Sequence, residues 1–337
     1  MTEFIKMFDL SPYNTFGLHV HAKSGLFIRK LHDLQNVDPS NSIIIGHGSD
    51  VLFTDDYEGT ALINSITHLK IEKKGDDYEV TAGGGLVLDD LISELLSKGI
   101  CGLENLSAIP GTVGAAPVQN IGAYGVEIGA LIKSVQCYDL LSRKEISLGR
   151  DECEFGYRTS YFKQHPERRL FITSVTFLLH SVFSPVLRYK GLEGEDLKDA
   201  WAVRDRVIKL RREKLPDPKK IGNAGSFFKN PVVEKKIVDD IKSKYTDVPV
   251  YETNEGKYKL ASGWLIDKAG CKGIIHGNVG TWQKQALVIV NYGNAKPHEI
   301  VSLARYIQSE VENKFAVNIE PEVRIYGRTG EISWQDL

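Results

Sequence analysis

Most apolar residues in this chain either alternate with polar ones or run in short blocks, and only a few windows repeat at helical spacing. Leu170–His180 (LFITSVTFLLH) and Ala286–Val290 (ALVIV) are apolar runs of strand length bounded by polar segments, so both are predicted strands. Ala61–Ile66, Tyr78–Gly85 and the SVQCYDL run from Ser134 read the same way. Ser42–Phe53 (SIIIGHGSDVLF) reads as an apolar strand, a Gly-x-Gly-Ser turn and a second apolar strand, a spacing that exposes turn amides beside a strand end. Leu88, Leu91, Ile92, Leu95 and Leu96 instead recur at helical spacing, predicting a helix that stops before Gly99 and packs on the sheet. Helices are also predicted over Asp196–Lys214, from Pro231, and from Pro297, where Ile300, Leu303, Ala304, Ile307 and Val311 share one face. The prolines of LPDP end the first of these and mark the best candidate domain boundary. A final strand is expected from Asn318 to Gly327.

Composition narrows the class. With 337 residues and 42% hydrophobic content, the chain can bury a substantial core and is long enough for about two domains and a small further lobe. Lys+Arg 42 against Asp+Glu 44 leaves a formal charge of −2, so no global basic field points to nucleic acid or an acidic membrane. The first residues carry scattered charges and no apolar leader, and no apolar run approaches the ~20 residues that span a bilayer; a cytoplasmic protein is expected. The four cysteines, Cys101, Cys137, Cys153 and Cys271, form no CxxC pair and are expected to be buried thiols. The nine histidines show neither HExxH nor a pair with a third ligand at helical spacing, so metal catalysis is not expected.

The chemistry-bearing stretches fall in two sets. Pro110–Gly125 (PGTVGAAPVQNIGAYG), the Gly46–Ser49 turn and Gly83–Gly85 are glycine clusters in the first half. Each ends a strand or opens a helix, and their backbone amides suit an anionic diphosphate; close packing is the alternative for any one of them. The missing third glycine of GxGxxG disfavours a nicotinamide-type dinucleotide fold. The second set comprises Ser226 in NAGSFFKNP, Glu320 and Glu322 in EPEVR, and Arg158 in FGYRTS. Ser226 lacks the GxSxG elbow of a hydrolase and by itself reads as a helix cap or turn serine. A carboxylate in a strand of Pro, Val and Ile must find a partner or protonate, and Arg324 in the same strand is one candidate partner.

Taken together, NTFG, IIGHGSDVLF, GLENLSAIPGTVGAAPVQNIGAYG, FGYRTS, KLPDP, GNAGSFFKNP, GWLIDKAG and EPEVR resemble the UDP-N-acetylenolpyruvoylglucosamine reductase (MurB) family of bacterial cell-wall enzymes, from about Asn14 to Gly330. The resemblance implies an α+β, PCMH-type (vanillyl-alcohol-oxidase-like) FAD-binding fold of two subdomains plus a third α+β substrate-binding domain. Its implied boundaries are 1–66 joined by 323–337, then 67–215, then 216–322. It implies that NADPH reduces FAD and that the enolpyruvyl sugar nucleotide then receives hydride from flavin N5 and a proton from Ser226. The partner is thus a UDP-sugar small molecule; a monomer is a separate expectation, which the sequence itself does not reveal.

By the same resemblance, Arg158 suits the substrate carboxylate, and Glu322 helps if it is kept protonated. Tyr189 closes over the sugar nucleotide, Lys214 and Asn230 meet its diphosphate, and Gln285 and Tyr157 line the cleft. FAD falls to Gly46, Gly48, Ser49, Asp50, Pro110, Gly111, Gly114, Asn120, Gly122, Tyr124, Arg211 and Arg324. Asp50 departs from the asparagine usual in the family, placing an extra negative charge beside the flavin diphosphate. A flavin oxidase of the same fold is one rival, although Pro110–Gly125 holds neither histidine nor cysteine for covalent flavin. A nucleotide-binding protein without turnover is another.

Overall fold

The computed structural model describes residues 4–253 and 256–337, with strands and helices mixed along the chain. It divides into two compact units. One consists of the residues up to Phe8, Ala22–Gly48 and Glu58–Arg211; the other of Asp9–His21, Ser49–Tyr57 and Arg212–Leu337.

The first unit is built on a five-stranded antiparallel sheet in the order Lys144–Gly149, Ile132–Asp139, Leu170–His180, Asp77–Gly83, Leu69–Lys74. The alternation in Leu170–His180 gives this strand its register opposite Asp77–Gly83 and keeps Val175, Phe177 and Leu179 in the core. The helix Leu88–Ser97 buries all five of its predicted apolar residues in that same core. Each such burial contributes about 1.5–3 kcal/mol, which fixes this helix far more firmly than propensity does. A second sheet runs Ile5–Asp9, His21–Ile28, Tyr57–Asn64, Ser42–Ile45, the last pair parallel.

The second unit carries a four-stranded sheet, Gly222–Ser226, Gln285–Asn291, Val279–Trp282 and Ile275–His276, accompanied by the helices Ser262–Lys268 and Pro297–Phe315. A three-stranded sheet joins Gly330–Glu331, Arg324–Gly327 and Val51–Phe53, the last two parallel.

Three elements differ from the expectation. The segment after Pro231 opens as a strand, Val232–Val233, and its helix begins at Lys235, because two adjacent valines fit a pleated pair better than a first helical turn. The helix expected from Asp196 starts at Ala200, where the Asp199 carboxylate accepts the Ala202 amide and caps it. The last strand is paired only over Arg324–Gly327, preceded by an isolated bridge from Pro321, which has no N–H to give, to Phe228. Among the described residues no helix is long and apolar enough to cross a membrane.

Cys137, Cys153 and Cys271 are buried and Cys101 half-buried, all as free thiols. Burial pushes every one of them up, Cys153 to about 12 and Cys271 to about 11. Because the thiolate is the reactive form, the native protein is expected to react only slowly with a thiol reagent at pH 8 and to release four equivalents once unfolded. Rapid native labelling at a stoichiometry above one would contradict these burials.

Candidate functional site

In the first unit, two of the glycine turns meet. A Cβ on Gly46 would lie 2.8 Å from Thr112 Oγ1 and 3.3 Å from the Ala115 Cβ, so only glycine lets this turn lie against Thr112–Ala115. Gly48 and Gly111 both take positive φ, +60° and +137°. The third cluster is different. Gly83, Gly84 and Gly85 donate their amides to the carbonyls of His68, Thr173 and Ile66, and a Cβ on Gly85 would sit 2.7 Å from Asn64 O. These glycines bring backbone to backbone, and their amides are spent on protein, not on a diphosphate. Gly114 serves the same approach, its missing Cβ lying 2.9 Å from Gly84 O.

Downstream, Asn120 is buried with its side chain committed to the loop. Oδ1 accepts the Gly129 amide, and Nδ2 donates to Glu127 Oε2 and Gly156 O. Its work is to hold the loop from Gly122 to Arg158 in shape. Arg158 itself has φ +54°; its Nη2 donates to Gly122 O at 3.1 Å and its guanidinium lies 5.6 Å from the Tyr157 ring. Lys163 Nζ donates to Arg158 O at 3.2 Å, supporting that left-handed backbone.

Tyr189 stands half-exposed with its ring 4.9 Å from that of Tyr124, edge to face. Sequence reading missed the residue that supports both. Asn105, buried, donates from Nδ2 to Tyr124 O and Val186 O, each at 2.8 Å, tying the glycine-rich loop to the Tyr189 segment. Burial raises the Tyr124 hydroxyl, partly offset by Arg211. Arg211 is held below the usual guanidinium range by its own burial, and its only hydrogen bond among the described residues runs from Nε to Ala108 O, 3.1 Å. A desolvated guanidinium with both Nη groups unspent on protein suits an anion, as a flavin diphosphate requires.

In the second unit, the serine loop is locked from below. Asn223 Oδ1 accepts the Gly225 amide while its Nδ2 donates to Ile221 O, and Gly225 turns at φ +73°. Gly222 comes so close to Phe16 O that a Cβ would sit 2.1 Å away, and Asn223 N donates to Thr15 O; this is where the NTFG motif is used. Ser226 ends the strand opposite Val288, exposed, its hydroxyl making no hydrogen bond among the described residues. Phe227 and Phe228 behind it are fully buried.

The main chain then brings Ser226 and the EPEVR segment side by side. Glu322 N donates to Phe227 O at 2.7 Å, and Lys229 N to Glu320 O at 2.9 Å. The two glutamates part ways here. Glu320 pairs with Lys229 Nζ at 3.0 Å on the surface. The Arg324 guanidinium, expected opposite one of these two glutamates, instead forks onto Glu331 at 2.9 and 2.5 Å.

Burial pulls Arg324 down, but Tyr326, Glu331 and Asp50 together outweigh it and hold it above the usual range. Asp50 O also accepts the Arg324 amide, so the added negative charge of Asp50 stands beside a cation. Ser49 and Asp50 open the Val51–Phe53 strand, which brings this turn next to Arg324. Asn230 Oδ1 accepts the Ser262 amide at the start of a helix, Gln285 Oε1 faces Gly263 of the GWLIDKAG motif, and Lys214 is the exposed last residue of its helix.

Two family models match the chain: an FAD binding domain over residues 36–142, and the C-terminal domain of UDP-N-acetylenolpyruvoylglucosamine reductase over 217–326. The UDP-N-acetylenolpyruvoylglucosamine reductase of Cupriavidus pinatubonensis is 42% identical over 96% of this chain and 99% of its own length. The corresponding reductase of Escherichia coli O157:H7 is 41% identical over 96% and 97%. Among solved structures, the reductase (MurB) of Thermus caldophilus superposes with a TM-score of 0.68 over 96% of this chain and 98% of its own, at 22% identity. The fold is the α+β, PCMH-type FAD-binding fold.

Proposed function

The chain belongs to the UDP-N-acetylenolpyruvoylglucosamine reductase family, and from that premise we propose that it is an FAD-dependent oxidoreductase that reduces the enolpyruvyl group of UDP-N-acetylenolpyruvoylglucosamine to give UDP-N-acetylmuramate, with NADPH as reductant. FAD held by this chain would supply hydride chemistry, two electrons and one hydrogen, for the enolpyruvyl double bond. Ser226 Oγ–H gives the proton to the neighbouring carbon, and the serine oxygen is reprotonated from water. Even a weak acid suffices here, because the acceptor carbon is carbanionic.

Arg158 binds the substrate carboxylate with its guanidinium fork while charge accumulates there. Glu322 supports the proton transfer beside Ser226. Tyr189 covers the sugar nucleotide, Lys214 and Asn230 take its diphosphate, and Gln285 and Tyr157 complete the lining. Toward FAD, the close-approach glycine Gly46 and the positive-φ glycines Gly48 and Gly111, with Arg211 and Arg324, are the residues of this chain that fit an anionic cofactor best. Two FAD subdomains, 1–66 with 323–337 and 67–215, and a substrate domain, 216–322, belong to the same reading, as do a cytoplasmic location and a monomer without nucleic acid.

The observation that carries this reading is Ser226: a hydroxyl with no protein partner among the described residues, at the exposed end of a strand made rigid by Asn223, Phe227 and the main-chain bond to Glu322. Purified protein supplied with FAD is expected to show flavin absorbance, bleach under anaerobic NADPH, and recover its colour on adding the enolpyruvyl sugar nucleotide. A protein that binds no flavin, or whose bleached flavin the substrate does not reoxidise, would refute it.

A further inference from the structure

Asp89 lies in the first turn of the helix Leu88–Ser97, outside every residue given a role so far. Its carboxylate takes three donors: Arg204 Nη1 at 2.5 Å, Arg204 Nη2 at 2.9 Å and the Ala108 amide at 2.6 Å. Arg204 is nearly buried, its side chain 10% exposed. Ala108 sits in the left-handed region at φ +56°, a conformation that an alanine keeps only when its peptide is held. The carbonyl of that same Ala108 accepts Arg211 Nε. Arg204 and Arg211 stand two turns apart on one helix, Ala200–Lys214. The contacts therefore close a ring: Asp89 grips the helix through Arg204 and the loop through Ala108, and Ala108 returns to the helix through Arg211. Any tilt of the helix against the loop breaks one member.

We infer that Asp89 is a positioning residue for FAD, setting through Arg204 and Ala108 where the Arg211 guanidinium stands. The inference rests on the reading that Arg211 meets FAD. A plain ion pair gluing two helices would lower stability when broken but would not act through Arg211, and that difference is measurable.

The experiment is a double-mutant cycle: apoprotein titrated with FAD, followed by quenching of flavin fluorescence, with the apoprotein Tm recorded in parallel. Asp89→Ala is expected to weaken FAD binding by about tenfold or more, the loss of one charge-assisted positioning contact. In an Arg211→Gln background the same change is expected to cost less than about twofold, because its target is already gone. Asp89→Asn keeps the side-chain shape and one acceptor; it is expected to show the same pattern at smaller amplitude, and serves if the alanine variant does not fold. Equal losses in both backgrounds, or a lowered Tm with FAD affinity unchanged, overturn the inference while leaving Arg211 in place. Arg211→Gln with wild-type FAD affinity overturns the Arg211 reading, and the positioning role falls with it.

Discussion

Ser226→Ala is expected to leave NADPH-dependent bleaching of the flavin unchanged while slowing its reoxidation by the enolpyruvyl substrate by about a thousandfold, within the range that a positioned proton donor contributes. The two half-reactions need different things from the protein. Reduction by NADPH needs no proton at carbon, whereas reoxidation leaves a carbanionic centre that must be quenched. The geometry around Ser226 makes this a clean substitution: Phe227 and Phe228 stay buried, Gly225 keeps its φ of +73°, and the Glu322–Phe227 main-chain bond of 2.7 Å does not involve the serine side chain. Fold and flavin affinity should survive. Stopped-flow absorbance of the flavin, run separately for the two halves, reads both rates. Equal slowing of the two would remove Ser226 from the proton-transfer role.

The second large effect is expected at Arg158. Arg158→Gln should slow reoxidation by the substrate by about a hundredfold or more, as loss of a preorganised donor to developing negative charge does. Arg158→Lys should recover only part of this, because a lysine offers a point charge where the guanidinium offers two parallel donors in one plane. The position is built for arginine in other respects too: the guanidinium anchors to Gly122 O at 3.1 Å and lies against Tyr157, while Lys163 holds its carbonyl. Bleaching by NADPH is the internal control. If the glutamine variant reoxidises at the wild-type rate, the carboxylate is held elsewhere.

What the sequence made legible was periodicity and local chemistry. Leu170–His180 is a strand with the bounds its apolar run marks, and Leu88–Ser97 buries the five residues its spacing selects. What it hid was partnership across long separations. Nothing in the local pattern tells that the Gly83–Gly85 amides are spent on His68, Thr173 and Ile66 while Gly46 is a point of close approach between two turns. Asn105 lies 81 residues from Val186, and Asp89 lies 115 from Arg204, so neither carries a signal that a window could catch. The two glutamates of EPEVR look alike in sequence, and nothing in the local pattern puts Lys229 on Glu320 or Glu331 on Arg324. Motif resemblance supplied the roles; the structure supplied the scaffolding behind them.

The parallel pairing of Val51–Phe53 with Arg324–Gly327 has a further consequence for how the protein is made. Thr54 donates to Tyr326 O across 272 positions, so the Val51–Phe53 strand has no ladder partner until the Arg324–Gly327 strand has been made. The first unit is complete once Arg211 has left the ribosome, whereas the second is assembled from three pieces of which the last is also the latest. A nascent chain can therefore raise the glycine-turn lobe early, but the serine lobe closes only when Arg324–Gly327 pairs with Val51–Phe53, whose edge stays open in the interval.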